Sequence, residues 1–210
     1  MQTLNWYFDF ISPYAYLQFK ELHRLPENVE VEYTPILFVG LLKHWENVGP
    51  AEVDPKRIHT YRYCQWYADK NGIPFTMAEV HPFNPIAVLR LALLNDSDKD
   101  TIGAIFDTIW GDGLAPSSVN FWDKLNGRLN GNYGATDPFS DSVKDQLRIN
   151  TEEAVANKVF GVPTLRAGAE NFWGVDSLDM CLDYLDNTDM FTSEKYQRIQ
   201  NAPWGVPRRV

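Results

Sequence analysis

The decapeptide FDFISPYAYL, residues 8–17, begins as one kind of secondary structure and ends as another. Phe8 and Phe10 close a run, LNWYFDF from residue 4, that is aromatic, free of Gly and Pro and only loosely alternating. Such a composition suits a largely buried strand. Ser12 and Pro13 then change the reading. A serine hydroxyl accepts from the free N–H groups of a first helical turn, and proline, which has no N–H, fits the first helical position. The stretch therefore reads as strand, tight turn and helix, with Ser12 as N-cap of a helix over residues 13–22. Capping alone would account for Ser12; a catalytic or ligand-binding role is the alternative. Asp9, at the end of the strand, is placed to be buried beside it, where its ionisation would matter.

Outward from this unit, residues 27–37 read ENVEVEYTPIL, in which Val29, Val31 and Tyr33 alternate with Glu30, Glu32 and Thr34. That is the pattern of a half-buried strand. From residue 39 to 157 the period becomes helical, with breaks at residues 46–55, 71–75, 81–85, 95–100, 111–118 and 130–138. Residues 86–94, IAVLRLALL, are apolar nearly all round and predict a buried helix. After residue 158 come two short β-type segments, VFGVPTLRAG and AENFWGVD, with Gly168 to turn between them. SLDMCLDYL then reads as a helix carrying Leu178, Cys181, Leu182 and Leu185 on one face.

The order is β-α-β, a helical block, then β-β-α. It predicts an α/β chain whose thioredoxin-like domain, residues 1–38 plus 158–190, is interrupted by an all-helical insertion over residues 39–157. Residues 191–210 read as a tail with little periodicity. In the thioredoxin arrangement the residue that opens the first helix is the reactive position, and here it is Ser12. Pro163, just before a predicted strand, is either an ordinary trans proline or a cis turn; the arrangement favours cis.

A chain of 210 residues, 44 % hydrophobic and 14 % aromatic, has enough apolar content for a packed core. Its net charge of −9 argues against nucleic acid or an acidic membrane as partner, since both need a basic surface; Arg208 and Arg209 are too few to reverse that. No run approaches the roughly 18 apolar residues of a membrane span, and no secretory signal pattern opens the chain. A cytoplasmic protein is expected. Cys64 and Cys181 lie in no CxxC or CxxH pattern, and Cys64 reads as a buried structural thiol. His23, His44, His59 and His81 form no metal-binding spacing, so no metal is expected. Trp45, Trp66, Trp110, Trp122 and Trp173 fit core positions at helical spacing, or the lining of an aromatic pocket.

Five segments taken together, FDFISPYAYL, GLLKHWENVGPAEVDPKR, HPFNP, EEAVANKVFGVPT and FWGVDSLDM, resemble the 2-hydroxychromene-2-carboxylate isomerase family. That family is similar to kappa-class glutathione transferases and, more distantly, to DsbA. The resemblance runs in order from residue 4 to about residue 190. It implies a thioredoxin-like domain with a helical insertion, a homodimer, glutathione as cofactor and a small aromatic substrate. The family's catalytic serine falls on Ser12. The cis proline falls on Pro163, and Val162 would bind the glutathione peptide through its backbone. Asp176 matches the acidic position that receives the γ-glutamyl end, with Val175 where kappa relatives often carry serine. Asn47 matches a glutathione-contacting amide. His81, Asn84 and Tyr14 are candidates for the substrate side, although Asn84 and Pro85 also suit a plain helix start.

Ala15 stands where a dithiol oxidoreductase has its second cysteine, so exchange through a resolving thiol is not available. No general base for Ser12 lies nearby in sequence, which makes it a poor nucleophile. Its hydroxyl is still a donor to a thiolate brought by glutathione. A hydrogen bond to a charged sulfur contributes about 1.5–3 kcal/mol, and a helix N-terminus about 0.3–1 kcal/mol. Together they lower a thiol pKa by roughly 1–3 units from about 8.5. The implied reaction is thiol-assisted isomerisation to trans-o-hydroxybenzylidenepyruvate, with glutathione regenerated. The competing expectations are a kappa-like transferase that consumes glutathione and a DsbA-like protein that binds without turnover.

Overall fold

The computed structural model describes residues 2–131, 140–203 and 205. Most of the expected break at 130–138, the Arg208–Arg209 pair and the end of the tail lie outside the described residues.

Strand β1 (Gln2–Phe8) leads into helix α1 (Pro13–Glu21) and a 3-10 turn (Leu22–Arg24), and strand β2 (Val29–Pro35) returns beside β1. The first strand stops at Phe8, two residues short of the apolar run. Asp9 takes over there: its Oδ1 accepts from the Ile11 N–H at 3.1 Å and its carbonyl from the Ser12 N–H at 3.1 Å, which closes the turn. Between β2 and the next strand come α2 (Phe38–His44), α3 (Asp54–Asn71), α4 (Ile86–Leu94), α5 (Lys99–Phe106) with a π-type turn after it, α6 (Phe121–Arg128) and α7 (Asp141–Ala156). Strands β3 (Thr164–Ala167) and β4 (Glu170–Trp173), helix α8 (Leu178–Asp186) and helix α9 (Glu194–Gln200) complete the order.

The sheet runs β2-β1-β3-β4. β1 is parallel to β2, with Trp6 opposite Tyr33, and antiparallel to β3, with Trp6 also opposite Leu165. A parallel pair needs a crossover, which α1 supplies; β3 and β4 pair antiparallel across the left-handed Gly168 (φ 59°). The chain thus has the thioredoxin-like β-α-β and β-β-α halves, with helices between them.

Both faces of the sheet are covered. Leu4, Trp6 and Phe8 face the larger core, while Tyr7 points the other way into a smaller cluster with Ile36, Leu41, Ala154, Val159 and Val162. Period-2 alternation sends neighbours along β1 to opposite layers. Phe106, at the end of α5, lies within 6.1 Å of the rings of Trp6, Phe8, Phe10, Tyr16 and Phe19. The helical block and the sheet therefore share one aromatic core.

One expectation, the placement of the tryptophans, is corrected. Of the five tryptophans assigned by spacing mainly to the core, Trp110 is buried, but Trp45, Trp66, Trp122 and Trp173 are 39 to 53 % exposed. On α3 the buried pair is Cys64 and Ala68, one turn apart, and Trp66 lies between them on a different face. The tail also contains α9, which buries no side chain and so carries no apolar period to read.

Candidate active site

Ser12 sits where the sequence places it. It is 8 % exposed, has extended backbone angles, and its Oγ accepts from the Ala15 N–H at 3.3 Å as the N-cap of α1. The same hydroxyl donates toward the Val162 carbonyl oxygen at 3.4 Å, across 150 residues of sequence. That second contact is long and therefore weak. The Val162–Pro163 peptide is cis. Val162 is 7 % exposed, and its N–H makes no hydrogen bond to another described residue. Ser12 and the Val162–Pro163 turn thus face one another with one donor free on the turn.

Asp176 belongs to the same region. The Gly174 N–H donates to the Pro163 carbonyl at 2.9 Å, which ties the start of the 3-10 turn Val175–Ser177 to the proline. Gly174 is left-handed (φ 92°), and a Cβ there would meet Asp176 Oδ1 at 2.5 Å, so only glycine fits. The Asp176 carboxylate is exposed and has no ion pair among the described residues; the Tyr14 and Tyr63 phenols are raised chiefly by burial, with a smaller contribution from this carboxylate. Tyr14 stacks obliquely on Tyr63 at 5.8 Å, and burial pushes its phenol up to about 12. Tyr14 is neutral at any physiological pH. It offers an aromatic face and a hydroxyl.

Asn47 lies beyond the C-terminus of α2. Its Oδ1 accepts from the Val48 N–H at 2.9 Å, and its amide NH₂ makes no hydrogen bond within the described residues. Trp45 anchors this segment by donating from Nε1 to the Val159 carbonyl at 2.9 Å, four residues before Pro163. His81 has both ring nitrogens engaged. Its Nε2 meets the Ile11 carbonyl at 2.8 Å and its Nδ1 the Tyr61 hydroxyl at 2.7 Å. A carbonyl can only accept, so Nε2 carries the proton and Tyr61 donates to Nδ1. Burial lowers the His81 pKa, in keeping with a neutral ring. His81 thus latches the helical block to the carbonyl next to Ser12. Asn84 Oδ1 accepts from the Ile86 N–H at 3.0 Å at the start of α4.

The turn that carries Ser12 is fixed from every side. Trp110 Nε1 donates to the Phe10 carbonyl at 2.9 Å, His81 to that of Ile11, and the buried Asp9 Oδ2 accepts from the Phe38 N–H at 2.9 Å. Burial pushes the Asp9 carboxyl up to about 7, against backbone N–H groups of Phe38, Ile11 and Phe10 that hold it down. Beneath α1, Trp6 donates to Gln18 at 2.6 Å and Gln18 to the Gly174 carbonyl at 2.8 Å. Sequence reading missed Gln18, Gly174 and Tyr61. Gln18 alone carried a signal, as a polar residue in an otherwise apolar stripe. Cys64 and Cys181 are buried and unpaired, with thiols pushed up to about 12, and offer no thiolate. Among the described residues no group of three or more His, Cys, Asp or Glu is placed to hold a metal ion.

A helix-capping serine facing a cis-proline turn across a β-α-β/β-β-α sheet defines a thioredoxin-fold arrangement with serine at the start of its first helix. The chain belongs to the DSBA-like thioredoxin domain family, whose profile it matches over residues 3–186. It is 29 % identical over 192 residues to a 2-hydroxychromene-2-carboxylate isomerase of Pseudomonas sp. (strain C18), covering 84 % of this chain and 87 % of that one. It is 25 % identical over 206 residues to glutathione S-transferase kappa 2 of Caenorhabditis elegans, covering 88 % and 92 % of the two. In three dimensions it superposes on a 2-hydroxychromene-2-carboxylate isomerase with a TM-score of 0.77 at 24 % identity, over 91 % of this chain and 100 % of the other.

Proposed function

We propose that this protein is a glutathione-dependent isomerase that interconverts 2-hydroxychromene-2-carboxylate and trans-o-hydroxybenzylidenepyruvate, or a related intermediate of aromatic degradation. The observation that carries the reading is Ser12: a hydroxyl at a helix N-terminus, facing the Val162–Pro163 turn, with Ala15 in place of a second thiol. The relatives named as isomerases support the choice of reaction.

The residues present fit glutathione. Val162 has a backbone N–H without a partner among the described residues, beside the cis proline and suited to a peptide carbonyl. Among the described residues, Asp176 has no ion pair, which suits an ammonium group, and the Asn47 amide NH₂ has no hydrogen-bond partner. When bound, glutathione would supply a thiol nucleophile that is returned at the end of the cycle. Ser12 would turn its hydroxyl from the weak 3.4 Å contact with Val162 toward the sulfur, because a charged acceptor makes the stronger hydrogen bond. Its other role, accepting from the Ala15 N–H, is compatible with that rotation. Tyr14, neutral and half-buried, would present its ring to an aromatic substrate.

The test follows the ultraviolet absorbance of 2-hydroxychromene-2-carboxylate with purified protein, with and without glutathione, and titrates total thiol at the end. Conversion that requires glutathione and leaves it unspent is expected. The kappa-class relative gives a second reading, a transferase that consumes glutathione, and falling thiol during turnover of an electrophile would establish it. Glutathione binding with neither activity leaves a non-catalytic binding protein. A homodimer in the cytoplasm belongs to the same proposal.

A further inference from the structure

A cleft of about 510 Å³ opens between α2, α4 and α7 and shares no residue with the Ser12 site. Leu37, Ile86 and Leu147 form apolar parts of its wall. Close helix packing bounds it, since Gly40 on α2 lies so near α7 that a Cβ would meet Thr151 Cγ2 at 2.8 Å. Thr151 contributes no free polar group: its Oγ1 accepts from the Leu37 N–H at 3.0 Å and donates to the Leu147 carbonyl at 2.8 Å.

The charged groups are unbalanced. Arg90, Lys144 and Arg148 line the cleft with one carboxylate, Glu152, in a chain whose net charge is −9. Glu152 is already taken, because both its oxygens accept from Arg148 Nη1 at 2.9 Å. Arg90 and Lys144 have no ion pair among the described residues. Arg90 Nε is buried with no hydrogen-bond partner among the described residues, so the rest of the guanidinium is what faces the cleft. A buried guanidinium N–H without an acceptor is costly, and such groups are otherwise paired. An apolar wall with convergent cations is the usual form of a small-molecule site, and this cleft falls within the usual volume range.

We propose that the cleft binds a small organic acid, a carboxylate carried on an aromatic or alkyl body, with Arg90 as its anchor. The carboxylate pairs with the part of the Arg90 guanidinium that lines the cleft and draws on Lys144 at the rim, while the body lies against Leu37, Ile86 and Leu147. Arg148, held by Glu152, adds field without a direct bond. This site is independent of the assignment of Ser12 and of glutathione.

The test is calorimetric titration of the whole chain with 2-naphthoate and, as its uncharged counterpart, 2-naphthalenemethanol. Saturable binding of one naphthoate per chain is expected. The alcohol, Arg90→Met and Lys144→Met should each weaken it by about tenfold or more, the loss of one charge-assisted contact. Ser12→Ala and saturating glutathione should leave it unchanged. Lys144 is exposed, so its variant keeps the test decisive even if Arg90→Met fails to fold. Absence of saturable binding, equal affinity in the Lys144 variant, or displacement by glutathione would each overturn the proposal. So would the lack of naphthoate binding together with a change of oligomeric state in Arg90→Met by light scattering, which would give the cleft to a second copy of the chain.

Discussion

Ser12 is a helix cap, and the proposed function gives it a second role that pH can separate from the first. As a cap it holds the Ala15 N–H, and alanine there costs about 1 kcal/mol of stability. As a donor to a thiolate it matters only where the thiol would otherwise be protonated. Ser12→Ala should therefore lower glutathione-dependent turnover about ten- to a hundredfold near neutral pH. The gap should close toward about pH 10, where a thiol ionises unaided. Profiles of kcat/KM against pH for both proteins test this, and a loss of the same size at every pH would remove the thiolate role. Asp9 makes a different prediction. Its carboxyl, pushed up to about 7 by burial, holds its proton more tightly folded than unfolded. Its contribution is then complete below the unfolded value of about 3.9 and is lost as pH rises toward 7. Asp9→Asn removes one of two acceptors for Ile11 and Phe38 and should cost about 1–3 kcal/mol. Urea denaturation at pH 5 and pH 8 should show the stability gap between wild type and variant shrinking at the higher pH; a gap that widens would mean that Asp9 is an anion stabilised by its N–H partners.

At the scale of elements, the Val162–Pro163 turn is shaped by the strand behind it. Trp173, at the end of β4, lies across Gly161, where a Cβ would collide with its Nε1, and Phe160 meets the same ring at 5.1 Å. Gly161→Ala must push the indole aside. A destabilisation of about 1–3 kcal/mol is expected, with a change in tryptophan emission, because Trp173 is already half exposed. Unchanged stability and emission would mean that the ring is not held there. The elements themselves were mostly open to reading. Alternation at Val29, Val31 and Tyr33 gave β2, and the Ser-Pro pair gave the start of α1. Helix α9 was not legible, because a helix that buries nothing has no face to mark in its sequence.

Across the whole molecule, Phe106 decides how the helical block behaves. Packed against Trp6, Phe8, Phe10, Tyr16 and Phe19, it joins the residues between β2 and β3 to the sheet. Phe106→Ala should cost about 3–5 kcal/mol. Wild type and variant should both unfold in one transition, with far-ultraviolet circular dichroism and tryptophan fluorescence coincident. Two separated transitions would show that the helical block has a core of its own.

The sequence by itself determined the β-α-β, helical block, β-β-α order up to α8, the cap at Ser12 and the absence of a second thiol at Ala15, because each is local: a period, a turn chemistry or a residue identity within a few positions. Only the tertiary structure decided what meets Ser12. Val162 arrives from 150 positions away, His81 reaches the Ile11 carbonyl across 70, and the buried Asp9 receives the Phe38 N–H across 29. Such contacts are set by how the helical block packs on the sheet, and no spacing along the chain encodes them. The same holds for Arg90, an ordinary helical arginine until α2 and α7 place it in the wall of a cleft.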